Sequence, residues 1–214
     1  MVRVQRIPIF PLPLVLFPNM PLPLHIFEER YRRMMRHCID NQEEFGVVQQ
    51  SEDGYALVGC TAQIRGVLRE YEDGRFDLLS FGKERFRVRR FFGDQQKMEA
   101  EVEFFSDEEI DSDPQTFELV RKATAGILSI AAEEELYLDS DGLEKMGPEE
   151  LSLIICGTDL LTREQKQAML ESTDTRRRLE IAIEQIGKRL RRHTAEKKLE
   201  ALLGYKIDFA SLVN

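Results

Sequence analysis

Alternating basic side chains in one segment form the clearest candidate for chemistry, the binding of a nucleic-acid backbone. The four cations are Lys83, Arg85, Arg87 and Arg89. In a β-strand, this spacing places all of them on one face and puts Phe86 and Val88 on the other. An open stripe of this kind would be a binding surface for RNA, so its neighbour in the sheet decides the interpretation.

The next segment alternates in the opposite charge, with carboxylates at Glu99, Glu101 and Glu103. A hairpin that turns at Gly93-Asp94 would pair residues 85 with 103, 87 with 101 and 89 with 99. We therefore predict a cross-strand ladder of opposite charges, in which the basic stripe is neutralised. An exposed nucleic-acid surface is the alternative.

Catalytic and metal-binding motifs are missing. The sequence has no G-x-S-x-G, no H-E-x-x-H and no G-x-x-x-x-G-K-[ST] string. Its histidines, His25, His37 and His193, lie far apart, which disfavours a zinc site. The segment 139–142 falls short of a calcium loop because Pro148 stands where the loop needs a glutamate, so a turn is predicted. We predict no catalytic residue, no metal and no cofactor.

Two further charged segments have simpler interpretations. One segment, predicted to be an exposed linker, is crowded with carboxylates: Asp107, Glu108, Glu109, Asp111 and Asp113. Water around an exposed linker would keep the pKa values of these carboxylates ordinary, so we predict a solvated spacer. Basic residues dominate the segment 176–198, which is typical of a solvated helix face. The acidic segment 107–150 is its expected neighbour within the chain, and nucleic-acid contact is the weaker alternative.

Composition restricts the class of protein. A net charge of −9 disfavours nucleic acid and anionic lipid as partners, and 42% hydrophobic residues are too many for a disordered chain. The three cysteines, Cys38, Cys60 and Cys156, are expected to be core thiols in a reducing compartment. Prolines interrupt the apolar N-terminus and no run of 18 apolar residues follows, so we predict a cytoplasmic protein without a membrane span.

The first half of the chain has the periodicity of strands around one helix. Six of the eight prolines lie in the first 23 residues and predict an edge-like, looping ribbon with only short extended pieces, such as Ile7–Phe10 and Leu14–Phe17. The spacing of Phe27, Tyr31, Met34 and Cys38 predicts a helix over about 26–41 that packs this stripe on the barrel. Strands are predicted over 45–50, 56–68, 75–81, 84–92 and 98–105.

The second half is predicted to be helical. Asp113-Pro114 is typical of a helix start, and we place a domain boundary after residue 112. Helices are expected over about 115–133, from Pro148 to Gly157, from the capping box Thr162-Arg-Glu-Gln165, and from about 174 to 203. The last helix, about 43 Å long, is expected to overhang the bundle.

A distinctive series of strings begins at Ile9-Phe10-Pro11-Leu12, continues in Val15-Leu16-Phe17-Pro18, and extends from Leu22-Pro23 to Phe27-Glu28-Glu29-Arg30-Tyr31. This series resembles the start of the N-terminal, substrate-binding domain of Lon protease, which is related to the N-terminal domain of cereblon. Segments 58–64 and Gly82-Lys83-Glu84-Arg85-Phe86 are similar to further elements of that family, as are 167–171, Asp174 and Arg178-Leu179. The signature positions are Pro11, Pro18, Pro23, Phe27, Glu28, Arg30, Tyr31, Gly82, Arg85 and Phe86.

The resemblance implies an α+β fold: a PUA-like antiparallel β-barrel or sandwich with one helix over 1–112, then an α-helical bundle over 113–214 that ends in a long helix. It also implies recognition of substrate proteins. Lon continues into ATPase and Ser-Lys protease modules, whose motifs are missing from these 214 residues, so protease activity is not carried over. We expect a stand-alone, non-catalytic module that binds client polypeptides, with a separate protease or ATPase as a candidate partner.

Two alternatives stay open, a PUA-like RNA-binding module and a hydrolase with an unrecognised site. For polypeptide binding, we expect an exposed apolar surface where the N-terminal ribbon and the barrel meet the helical half, since apolar contact tolerates many sequences. The candidate residues are Leu12, Leu14, Leu16, Phe17, Met20 and Leu22.

Overall fold

The computed structural model describes residues 3–93, 97–109, 113–136 and 138–203, apart from the side chain of Glu200. The described strands, with one helix among them, precede the other helices along the chain, which confirms the predicted α+β class. The strands are β1 Val4–Leu12, β2 Pro21–Ile26, β3 Phe45–Ser51, β4 Gly54–Glu70, β5 Phe76–Phe92 and β6 Glu99–Phe104. The helices are α1 Glu29–Asn41, α2 Pro114–Glu133, α3 Ser140–Lys145, α4 Pro148–Gly157, α5 Arg163–Glu171 and α6 Thr175–Leu203.

The six strands form one sheet in the order β2-β5-β4-β3-β1-β6, and an additional β5–β6 pairing closes five of them into a barrel. Pairing is antiparallel except between β1 and β3, which are parallel. The expectation of a purely antiparallel barrel is therefore wrong at that one pair. The two strands expected over 75–81 and 84–92 are a single strand, since β5 runs through Gly82 without a break.

The N-terminal ribbon contributes a central strand as well as an edge. The outermost strand is β2, as the prolines predict, but β1 lies between β3 and β6, and Leu14–Phe17 is not a strand. Residues 4–8 of β1 pair with β6, and residues 9–12 pair with β3. Since each half of β1 is paired on one side, the missing donors of Pro8 and Pro11 are tolerated.

Helix α1 begins three residues later than predicted, which changes the role of Phe27. Glu28 is the N-cap and has extended backbone, so Phe27 lies outside the helical stripe. Its side chain is 59% exposed and stacks on His25, with the ring centroids 6.0 Å apart. Met35 and Cys38 are the buried residues of the helix, and Tyr31 and Met34 pack partly against the same core. The predicted burial of Phe27 is wrong.

Replacing Phe27 by Ala will therefore cost little stability. A buried phenylalanine loses about 3–5 kcal/mol on this substitution, whereas surface substitutions stay within about 0.5 kcal/mol. We expect the free energy of unfolding in urea to fall by less than about 1 kcal/mol. A loss of several kcal/mol would show that the ring is buried in solution.

Strands β5 and β6 are adjacent and antiparallel, as the charge pattern predicts, but their register differs. Arg87 lies opposite Glu103, Arg90 opposite Glu101, and a bulge separates Val88 from Arg90. The ion pair of this ladder joins Arg89 to Glu103 at 2.7 Å. A shift of two residues keeps every side chain on its face, so the apolar pattern does not distinguish the two registers. The turn predicted at Gly93-Asp94 lies partly outside the described residues.

The helical half matches its sequence signals closely. The Asp113 side chain accepts a hydrogen bond from the Thr116 amide at 2.8 Å, and Thr162 with Gln165 forms the predicted capping box. The short helix α3 replaces the turn expected after Asp139. Residues 110–112, where the domain boundary was placed, lie outside the described residues, and the division into two domains stays a prediction.

Helix α6 packs on the other helices along its first half. Leu179, Ala182 and Ile186 are buried in the core of the bundle, whereas Leu199, Leu202 and Leu203 near its end are exposed. Its cations meet the acidic segment as expected. Arg176 pairs with Asp113 and Arg189 with Glu134, both at 2.6 Å.

Candidate functional site

The turn of the N-terminal ribbon at residues 17–20, which we call the ribbon turn, lies between the barrel and the helices. Phe17 is fully buried in an apolar cluster that joins Val58 of β4 to Leu153, Cys156, Leu161 and Leu170 of the helical half. On the barrel side, the amide of Gly82 donates to the carbonyl of Met20, and the Asn19 amide donates to the carbonyl of Gly82, both at 2.9 Å. The ribbon turn therefore connects the two halves.

The similarity to Lon at Gly82, Arg85 and Phe86 has a physical basis in this junction. A Cβ atom on Gly82 would overlap the carbonyl oxygen of Phe17, so a side chain there would displace the ribbon turn. Phe86 is fully buried in the core of the barrel. Arg85 points the other way, into the contact with the helices.

A buried cluster of charges surrounds Arg85, which we call the arginine cluster: Arg85, Asp107, Ser152, Thr175 and Arg178. The side chains of both arginines and of Asp107 are at most 2% exposed. Both arginines donate to Asp107 and, at 2.7 Å, to the carbonyl of Ser172 just after α5. Thr175 donates to Asp107, and Arg178 donates to the Ser152 hydroxyl at 3.0 Å. The cluster ties β5 to three helices.

The arginine cluster corrects two predictions. Asp107 is not part of a solvated spacer, and Arg85 does not face Glu103. Burial alone would raise the pKa of Asp107, but the hydrogen bonds from Arg178 and Thr175 and the two positive charges hold it below its usual value. With Arg85 buried and Arg89 paired to Glu103, the basic stripe is not an open face of four cations.

A cleft opens beside the ribbon turn on the side of the helices, and we call it the apolar cleft. It has a volume of about 790 Å³, within the range of about 300–1,000 Å³ usual for ligand sites. Part of the cleft is lined by polar residues: Glu134, Asp159, Gln185, Lys188, Arg189 and Arg192. Its apolar walls are Met20, Ile127, Ile130, Ala131, Leu136, Leu138, Leu143, Ile154, Ile155 and Leu160.

The candidate residues of the ribbon are divided between core and surface. Leu16, Phe17 and Leu22 are buried and unavailable to a partner, contrary to the exposure that a binding role requires. Leu12 and Leu14 are half-buried against the barrel core. Met20, also half-buried, lines the apolar cleft. The remaining walls come from the helical half, where the apolar stripes gave no sign that one side would stay uncovered.

The cysteines have the environment of core thiols, as predicted. All three are buried and free. Burial raises the pKa of Cys38 to about 11 and those of Cys60 and Cys156 to about 12. Because the thiolate is the reactive form, these side chains are poor nucleophiles. Among the described residues, no group of three or more His, Cys, Asp or Glu side chains is placed to hold a metal ion, and no helix is long and apolar enough to cross a membrane.

The β-barrel and the helices that follow it are joined in this chain through the proline-rich ribbon and Gly82 of β5. The model of the family described as the ATP-dependent protease La (LON) substrate-binding domain matches residues 6–188. The chain belongs to this family.

Two solved structures show the same fold. A Lon N-terminal domain protein from Xanthomonas campestris is similar with a TM-score of 0.65 and 25% sequence identity, over 82% of this chain and 95% of that one. The N-terminal domain of Mycobacterium avium complex Lon protease has a TM-score of 0.69 at 19% identity, over 86% and 98% of the two chains. The second likeness supports the fold alone.

Proposed function

We propose that this chain is a non-catalytic module that binds polypeptide substrates, and that the apolar cleft takes up their apolar segments. The family to which it belongs is described by substrate binding, and the substrates of a protease are polypeptides. In this proposal, any cleavage of a bound polypeptide is carried out by a separate ATP-dependent protease, in the cytoplasm.

One observation carries the assignment to the cleft: large apolar side chains line it and remain exposed. Leu136 is 58% exposed and Leu138 is 39% exposed. Both follow α2 in the chain and line the cleft together with the buried Ile130. Exposed leucines that adjoin a cavity are typical of a surface that a partner covers. The cations of α6 that border the cavity are already paired within the chain, Lys188 with Glu184, Arg189 with Glu134 and Arg192 with Glu196. Apolar contact is therefore what the cleft offers to a partner.

Changing Leu136 and Leu138 together to Ser will weaken binding of an unfolded polypeptide about tenfold, because both side chains lose apolar contact that is worth about 1.4 kcal/mol in total. The measurement is the dissociation constant for reduced, carboxymethylated α-lactalbumin, followed by fluorescence anisotropy. Exposure of both leucines means that the variant should keep its melting temperature.

The matched control is Leu57→Ser. Leu57 is 59% exposed, but it lies on β4 and outside the apolar cleft. This variant should bind like the unchanged chain. Equal affinity of the double variant and the control would contradict the assignment of the cleft.

A further inference from the structure

The C-terminal half of β4 has an edge that no other strand covers. Strand β3 pairs with β4 only as far as Ala62, whereas β5 pairs with β4 up to Glu70. Among the described residues, the backbone of Gln63–Glu70 thus has a strand neighbour on one side only. The other side presents alternate N–H and C=O groups to solvent, which is the hydrogen-bonding template for one more strand.

The free edge of the outermost strand is blocked by prolines, whereas the β4 edge has none. The outermost strand β2 carries Pro21 and Pro23, which lack the N–H group that a further strand would need. No proline lies in Gln63–Glu70. Two bulges, between Ile64 and Gly66 and between Val67 and Arg69, bend the β4 edge. They limit any added strand to a short one and oppose open-ended stacking of sheets.

A groove of about 290 Å³ runs along this edge, between β4 and the C-terminal end of α1. Ile39 on the helix side and Ile64 and Val67 on the strand side are half-buried and pack against the barrel core, so they give the groove an apolar floor. The ion pair between Arg36 and Glu70, at 2.8 Å, joins α1 to the end of the strand.

Gly66 lines the groove at the bulge that follows Ile64. Glycine in the interior of a strand commonly marks a bulge or the close approach of another backbone. Its backbone does not have a positive φ, and a Cβ atom there would meet nothing within 4 Å. The space beside Gly66 is therefore open to the backbone of a second chain.

The charge of the edge selects among possible occupants. Arg65 and Arg69 are exposed, and Glu70 is already paired with Arg36. Pairing of two copies of this edge would bring four arginines together, and like charges on facing strands are destabilising. An extended segment that carries acidic side chains complements the edge in both backbone hydrogen bonding and charge.

We propose that the edge groove, formed by Gln63–Glu70 and the C-terminal end of α1, binds an extended acidic polypeptide segment as an added β-strand. This inference rests on the proposed function and adds a second site to it, distinct from the apolar cleft. Main-chain hydrogen bonds would supply affinity for many sequences, since every residue except proline offers the same groups. The arginines would supply the preference for acidic side chains.

The test uses a fluorescein-labelled peptide of nine residues, with alternating Thr and Val in the centre and two Glu at each end. Two further versions carry N-methyl groups on alternate residues, one version for each edge of the extended peptide. Only one edge can face β4, so one methylated version should bind at least tenfold more weakly and the other within twofold of the parent. Amide hydrogen exchange in residues 63–69 should slow when the parent peptide binds. Equal affinity of all three peptides would overturn the proposal.

Variants of the protein test the charge preference. Replacing Arg65 and Arg69 by Ser should weaken binding of the Glu-flanked peptide about fivefold, whereas Arg87→Ser, which removes an exposed cation from β5, should not change it. Protection of residues 63–69 in the protein alone, together with a dimer in sedimentation, would show that a second copy covers the edge and would overturn the proposal.

The binding measurements distinguish an error in one proposed site from an error in the other. Changing Leu136 and Leu138 to Ser should leave binding of the nine-residue peptide unchanged. If the unchanged chain binds carboxymethylated α-lactalbumin but no version of the peptide, the edge site is wrong and the apolar cleft stands. If it binds the peptide with the methylation pattern above but not the unfolded protein, the cleft is wrong and the edge site stands.

Discussion

Replacing Asp107 by Asn will lower the free energy of unfolding by about 3–5 kcal/mol, the loss typical when one partner of a buried ion pair is removed. Asp107 is the only carboxylate of the arginine cluster that is buried, and both Arg85 and Arg178 donate to it. Glu149 also accepts from Arg85 at 3.1 Å, but its side chain is 42% exposed. It therefore cannot replace Asp107 as the buried counter-charge of both arginines. The asparagine variant would leave two buried cations without a full counter-charge.

The difference in free energy of unfolding between the unchanged chain and Asp107→Asn should decrease as the pH falls. The folded structure holds the pKa of Asp107 below its unfolded value, which is about 3.9. Such a group contributes its full stability above the unfolded pKa, and the contribution is lost as the pH falls through the folded pKa. Urea unfolding at pH 7 should show the whole difference, and measurements below about pH 3.9 should show it shrinking.

The matched control is Asp159→Asn, because the side chain of Asp159 is fully exposed. This substitution should change the free energy of unfolding by less than about 0.5 kcal/mol. A similarly small loss for Asp107→Asn would mean that water reaches the arginine cluster in solution.

Sequence periodicity predicted most elements because local rules determine them. The cap at Asp113 and the capping box at Thr162 depend on neighbouring residues and were found at the expected places. Most strands were found as well, but 75–81 and 84–92 form the single strand β5, and Leu14–Phe17 is not a strand. The β5–β6 register was wrong because it depends on the length of a turn, and two registers keep Phe86 and Val88 inside. The burial of Phe27 was wrong because the helix begins two residues after it.

The arginine cluster could not be derived from spacing. Asp107, Arg85 and Arg178 are far apart in the sequence, and each belongs to a run of like charges that resembles a solvated surface. Only the fold brings one member of each run into the contact between barrel and helices. An apolar binding surface was predicted where the ribbon and barrel meet the helical half, and it stays a prediction. The apolar cleft includes Met20 of the ribbon candidates, and its other walls come from the helical half. Those walls were not predicted, because helical stripes reveal which side of a helix is apolar but not which part of that side stays uncovered.

Replacing Phe17 by Ala will be as costly as the loss of Asp107, about 3–5 kcal/mol, since the ring is fully buried and leaves a cavity that its neighbours cannot fill. These neighbours belong to different parts of the chain, Val58 to the barrel and Leu153, Leu161 and Leu170 to the helices. The cavity would therefore open where the two halves meet. Urea unfolding measures the loss, and amide exchange should quicken in α4 and α5 before it does in β3.

Phe27→Ala is the control for this substitution, because it removes the same type of side chain at a site that is 59% exposed, shortly after the ribbon. The difference between the two variants should be at least about 2 kcal/mol. Similar losses would show that burial does not set the cost at these positions, and the ribbon turn would then not be what joins the barrel to the helices. A large loss at Phe17 alone would mean that this ribbon residue, a sequence candidate for substrate binding, stabilises the contact between the barrel and the helices.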